Sequence, residues 1–271
     1  MIVDAGALAL SISFLIGLYA VAGSFAGVSR RIPALVLSAR YGLYTIPVLL
    51  LLATGALVYA FVTHDFSVRY VFENSNLAMP VQYTWVAFYA GNSGSLLFIA
   101  LVFSVLTVAA VLSLVGRLPF TAPYATALMA MVLTFFLGVI VFLANPLDRL
   151  AITPGDGEGI NPLLIHFGMF IHPPMQMVGL ISVAIPFSIA IGAVIAGRGG
   201  RDEWVDLGRT WAMVSWLLLT VGLILGSWWA YTILGWGGYW AWDPVENSAL
   251  MPWLAMTALV HSIMVQKRRG M

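Results

Sequence analysis

Few residues of this chain can do chemistry. There are four histidines, His64, His166, His172 and His261, and eleven carboxylates, of which Asp243 and Glu246 stand inside the tryptophan-rich stretch "LGWGGYWAWDPVENSALMPWL" at 234–254. Neutral imidazole is the commonest metal ligand among side chains, and two nearby acids invite an acid–base reading. A plainer account of the acids is also available. Asp243, Pro244, Val245 and Glu246 spell an N-cap, a first-turn proline and a capping-box acid at the third helical position. The two roles are compatible, because a rigid helix start also fixes the loop before it. The chain has no cysteine, which excludes disulfides, zinc–thiolate sites and thiol catalysis by its own residues.

The histidines differ in setting. His172 directly precedes Pro173 and Pro174; a residue before proline is pushed to extended geometry and proline suits a first helical turn, which predicts His172 just outside a helix start at the membrane surface. It is either a ligand there or an incidental interfacial histidine. His166, six residues earlier, is close enough to serve instead. His64 begins a polar run with Asp65 and is explained by solvation. His261 lies in an apolar run shortly before the basic stop at Lys267. Ionisable residues inside membrane spans are costly and mark functional interiors, although a hydrogen bond to a neighbouring helix would also account for it.

The elements that must position these groups follow from composition. With 61% hydrophobic and 8% charged residues over 271 positions, the chain lies far from the roughly half-apolar, quarter-charged balance of soluble domains. It reads as an all-α, polytopic membrane protein of one integral domain, 1–271. Since ~20 apolar residues cross a bilayer, seven spans are predicted, at about 5–28, 41–62, 95–115, 123–144, 174–196, 211–233 and 248–265, with a loop at 235–247. The first span has no basic leader and is expected to be a retained helix. With the amino terminus outside and the carboxy terminus inside, the inner segments hold ten basic residues and the outer ones only Arg69 and Arg149, a strong positive-inside bias. Net charge of +1 predicts no nucleic-acid partner; lipid is the expected surrounding.

The polar and aromatic residues then concentrate on the outer face, in 63–94, 145–173 and the stretch at 234–254. Tryptophans anchor membrane interfaces, which explains single residues. It explains less well why Trp236, Trp240 and Trp242 crowd into "GWGGYWAW". A platform of large flat rings suits a large flat apolar ligand, and a tetrapyrrole, with iron in need of histidine, is the natural candidate. Its propionates would want indole N–H groups or cations such as Arg69 and Arg149.

The string "WGGYWAWDPVENSALMPWL" resembles the WWD motif of the haem-handling superfamily of cytochrome c biogenesis, and its DPVEN form followed by MPWL is similar to the CcmF branch, the cytochrome c haem lyases. "FSVRYVFENSN", "GSLLF", "NPLDRL", "GINPLL" and "HPP" occur in the family's order, so the resemblance runs over almost the whole chain. It implies that His172 ligates the haem being delivered and that the loop with Trp236, Trp240, Trp242, Asp243 and Glu246 holds that haem. It further implies that His261 binds a resident haem b, which helps to keep the delivered iron reduced. It assigns no role to His64 or His166.

Two departures stand out. Where the family usually carries a tryptophan and an acid before "GSLL", this chain has Tyr89 and Ser93. Family members also run longer, with a second outer histidine and a second haem b ligand in their later part. Each site here offers one axial ligand, so the expected partner is the carboxy-terminal half of a split haem lyase, although a truncated chain would look the same. Further expected partners are a haem chaperone and the proteins that present apocytochrome c. The resulting expectation is a haem-handling subunit in a bacterial inner membrane, its haem site facing the periplasm, that positions haem for thioether attachment without an acid–base pair of its own. The alternatives are a haem transporter or relay without ligation activity, a haem b electron-transfer subunit, for which only His261 qualifies as an intramembrane ligand, and a scaffold that binds no haem.

Overall fold

Backbone in a bilayer must satisfy its hydrogen bonds internally, and the computed structural model of the chain does so almost entirely with helices. It describes residues 1–200, 202–233, 235 and 237–269. In order these form α1 (Ile2–Ser29), α2 (Pro33–Val62), the short α3 (Arg69–Asn74) and α4 (Val81–Thr84), α5 (Asn92–Val115), α6 (Ala122–Phe142), α7 (Gly168–Ser182), α8 (Ala184–Ile195), α9 (Val205–Ile233) and α10 (Pro244–Arg269). Among the described residues there is no strand, only one isolated antiparallel bridge between Val68 and Arg149.

Among the described residues seven helical stretches are long and apolar enough to cross a membrane, α7 and α8 counting together as Gly168–Ile195. The predicted spans all correspond to one of them, but several helices begin earlier. α2 starts at Pro33, α7 at Gly168 and α9 at Val205, because hydropathy marks only the lipid-like part while the helix continues through residues such as Arg40 and Asp206. The break between α7 and α8 at Val183 lies three residues ahead of Pro186, which has no N–H to donate to the carbonyl of Ser182.

Two compact units divide the chain, residues 1–108 with 130–165 and residues 109–129 with 166–271. In the first, α1 and α2 form a hairpin packed through small residues. A Cβ at Gly6 would lie 2.6 Å from the Cβ of Ala56, so only glycine allows this approach of the two backbones. The polar connectors of the same unit are tied to each other: Arg69 N–H donates to Asp148 O at 2.9 Å and Leu150 N–H to Ser67 O at 2.8 Å. The Tyr70 hydroxyl accepts from Gly91 N–H at 2.8 Å and donates to Gly91 O at 3.0 Å, and burial pushes its phenol well above the ordinary range.

The second unit holds α7 to α10. α7 lies close along α9, where a Cβ at Gly179 would come within 2.6 Å of Leu219 N. α9 and α10 run antiparallel, with Trp216 opposite Thr257 and Thr220 opposite Trp253.

Candidate functional site

His172 sits within α7, in its second turn, and not before the helix as the prolines suggested. The helix starts at Gly168, and Pro173 and Pro174 are interior residues. Interior proline is tolerated in membrane helices, where neighbouring helices and local adjustments satisfy the freed backbone groups. The shift carries His172 against α9. Its Nδ1 is 3.0 Å from Gly222 O. A carbonyl can only accept, so Nδ1 carries the proton and Nε2 keeps its lone pair. This is the arrangement of a metal-ligating histidine, whose other nitrogen is oriented by a hydrogen-bond acceptor. The ring is further confined by Gly226, where a Cβ would come within 2.7 Å of His172 Cε1, and by Trp229, which meets it edge-on at 5.5 Å and 86°.

His166 belongs to the same cluster but is held in the opposite sense. Its ring stacks on Trp229 at 6.2 Å and 28° and lies 5.3 Å from Trp228. Its Nδ1 accepts from Gly168 N–H at 3.0 Å, so the neutral ring carries its hydrogen on Nε2. Of the two histidines on this approach, His172 is the one with a free Nε2 lone pair.

The loop after α9 is fastened to α10 by its acids. Glu246 N–H donates to Asp243 Oδ1 at 2.7 Å, and Glu246 Oε2 accepts from Asp243 N–H at 3.3 Å and from Ala241 N–H at 2.8 Å. The capping box expected from the sequence is therefore formed. Trp242 has φ +61°, a left-handed conformation that costs a non-glycine residue about 1–2 kcal/mol, and its carbonyl accepts from Asn247 Nδ2 at 3.0 Å. The residue is 69% exposed, and its ring meets Trp240 edge-on at 5.9 Å. Trp240 Nε1 is buried without a hydrogen-bond partner among the described residues. Tyr231 and Tyr239 stack at 4.4 Å and 6°. Trp236 lies outside the described residues.

His261 is on the exposed side of α10, and its Nδ1 is 2.8 Å from Thr257 O. The carbonyl again places the proton on Nδ1 and leaves Nε2 free. His172 is level with Gly222, six residues beyond Trp216 on α9; His261 is four residues beyond Thr257, the partner of Trp216, in the opposite direction. At ~1.5 Å of rise per residue the two imidazoles stand about 15 Å apart along the helices. Two nitrogens on one metal, each about 2 Å from it, cannot be so far apart. One metal ion therefore cannot take both His172 and His261.

A family model described as Cytochrome C assembly protein matches residues 89–271. The chain belongs to this family. It is 44% identical over 235 residues to the cytochrome c-type biogenesis protein CcmF of Pseudomonas fluorescens, covering 86% of this chain and 35% of that protein. To the CcmF of Escherichia coli K12 it is 39% identical over 266 residues, 97% of this chain and 40% of that protein. A solved structure named Cytochrome c Heme Lyase CcmF superposes with a TM-score of 0.83 at 30% identity, covering all of this chain and 43% of that one. The chain thus spans 35% and 40% of the length of these two relatives.

In this member of the family the remaining candidates belong to the first unit. His64 is half-buried in the first unit, with φ +51° and Nδ1 without a partner among the described residues. Arg149 is engaged by Asp4 at 3.1 and 3.3 Å and by the Ser67 hydroxyl at 2.8 Å. Sequence reasoning missed Gly222, Gly226 and Trp229. The signal was present: "GLILG" is a G-x-x-x-G pattern on an apolar helix, which marks close helix packing, and it is followed after Ser227 by the tryptophan pair Trp228 and Trp229.

Proposed function

We propose that the chain is a haem-handling subunit of the cytochrome c maturation system, in which His172 ligates the haem being delivered and His261 a resident haem b. The observation that carries this reading is the matched tautomer of the two histidines, each donating Nδ1–H to a backbone carbonyl and presenting Nε2. The donor set fits a porphyrin iron. No group of three or more His, Asp or Glu able to hold a metal occurs among the described residues, and a lone imidazole suits a metal that brings its own equatorial ligands.

The loop 235–247 serves as the tray for the delivered haem. Trp242 offers an exposed flat ring, and the unpartnered Trp240 indole N–H is a donor for a propionate. Asp243 and Glu246 hold the tray on α10 and do not touch the reacting atoms. The chain then contributes positioning and exclusion of water. An apocytochrome cysteine adds across each vinyl group, sulfur bonding to one carbon and hydrogen to the other. A resident haem b supplies one-electron redox chemistry, and His261 holds it in the membrane, on a separate level from the tray.

By the positive-inside bias, the tray faces the periplasm of a bacterial inner membrane. Each histidine would hold its haem through Nε2. A second ligand would come from the further length that the relatives carry, while haem chaperone and apocytochrome-presenting proteins meet the tray.

The test is spectroscopic. The chain is co-expressed with the carboxy-terminal part of a haem lyase and purified in detergent, and reduced-minus-oxidised spectra are recorded for the unaltered protein, His172→Ala and His261→Ala. The expected result is loss of the low-spin b signal in His261→Ala and its retention in His172→Ala. Absence of haem from the unaltered protein, or a full b signal in His261→Ala, refutes the assignment. Thioether formation with the whole system separates a lyase from a relay.

A further inference from the structure

We infer that Trp216, Thr220, Trp253 and Thr257 form a reciprocal clasp that fixes the rotation of α10 about α9 and so aims His261; the aiming role rests on the reading of His261 as a haem ligand. Trp216 Nε1 donates to Thr257 Oγ1 at 2.8 Å, and Trp253 Nε1 donates to Thr220 Oγ1 at 2.7 Å. Each threonine in turn donates to the carbonyl of the tryptophan one turn back on its own helix, Thr220 to Trp216 O at 2.7 Å and Thr257 to Trp253 O at 2.8 Å. The two indoles stack at 6.2 Å and 22°. Every donor in the set has an acceptor, and each hydroxyl both gives and receives.

Such a device is needed at this place. Lipid is as apolar as a leucine surface, so hydrophobicity alone gives a membrane helix no preferred rotation. Only 22% of the most apolar window of α10 is buried, against 33–56% in the spans before α9, so packing contributes little to its register. Behind the clasp, Ala212 meets Met256 and Val260. His261 follows Val260 and is therefore about 100° further round the helix. A rotation of that size would bring His261 to the face that Val260 now occupies. The bonding continues from the clasp to the ligand, since Thr257, whose hydroxyl is in the clasp, offers its carbonyl to His261 Nδ1–H at 2.8 Å.

The chain has no cysteine, so introduced pairs report on geometry without background. The full chain, in membranes with the rest of the lyase, carries Ala212→Cys together with cysteine at one of positions 255, 256, 258, 259 or 260, none of them in the clasp, and crosslinking by a short bismaleimide is measured at each. In the otherwise unaltered chain crosslinking peaks at 256 and 260. In Thr220→Val/Thr257→Val the profile spreads to 255 and 259, and the b-type haem shifts in midpoint potential. Serine at both positions restores profile and potential, which general loosening of the fold would not predict. Should the double variant fail to accumulate, Thr220→Val alone gives the same reading. An unchanged profile in the valine variants overturns the clasp. A profile that responds while the unaltered protein shows no b-type haem supports the clasp and refutes the haem reading of His261.

Discussion

Gly226→Ala is the sharpest perturbation of the His172 cluster. The new methyl would lie 2.7 Å from His172 Cε1, 3.1 Å from Nδ1 and 3.4 Å from Nε2. To regain ordinary contact the ring must retreat from α9 by about 0.7 Å, and interiors resist such shifts. Gly222, which accepts the Nδ1–H at 3.0 Å, is on the same helix one turn back, so the retreat stretches that bond past the ~3.2 Å at which N–H···O bonds weaken. Overpacking costs typically about 1–3 kcal/mol, and loss of a ligand's orienting partner lowers metal affinity about 10- to 100-fold. The expected outcome is a 10- to 100-fold weaker binding of the delivered haem, with the His261-dependent b signal intact. Haem titration of the purified complex reads the first, and the reduced-minus-oxidised spectrum the second. Wild-type affinity in Gly226→Ala would show that the Gly222 bond does not orient the ligand, and would remove the basis for assigning His172.

Asp243→Ala removes the N-cap of α10 at a cost of about 0.5–2 kcal/mol; hydrogen exchange at the amides of Ala241, Glu246 and Asn247 should accelerate while the b signal of His261 persists. Tyr70→Phe leaves the Gly91 N–H without its acceptor, which costs about 1–3 kcal/mol and should lower the thermal midpoint in detergent. Arg149→Gln breaks a solvent-screened pair with Asp4, and haem retention should be unchanged; a marked loss would return Arg149 to the propionates. Nitrogen-15 NMR of the haem-free chain should find His172 and His261 protonated on Nδ1 and His166 on Nε2, and a common tautomer for all three would contradict the distinction between them.

What the sequence revealed depends on how far apart the cooperating residues are. The spans were legible because apolarity is a local property, and the capping box because Asp243 and Glu246 are three residues apart. The surroundings of His172 were not, because its partner Gly222 is 50 residues away and contributes only a backbone carbonyl, which no side-chain pattern announces. The prolines after His172 misled for a related reason. Proline disfavours helix through local sterics and a missing donor, whereas the glycine-lined seam between α7 and α9 holds the segment helical from Gly168 onward. The clasp was written twice, as tryptophan followed four residues later by threonine in α9 and again in α10. Neither copy means anything until the helices are laid antiparallel.

α9 therefore does more than connect the basic loop to the tryptophan loop. Its Gly222 carbonyl orients one candidate ligand, and its Trp216 and Thr220 hold the helix that bears the other. The two duties fall on different turns, about 9 Å apart from Trp216 to Gly222. A change at Gly226 should consequently reach His172 and spare His261, while a change at Thr220 should do the reverse. If instead either substitution weakened both sites equally, α9 would be acting as one rigid lever, and the assignment of separate positioning groups to the two histidines would fail.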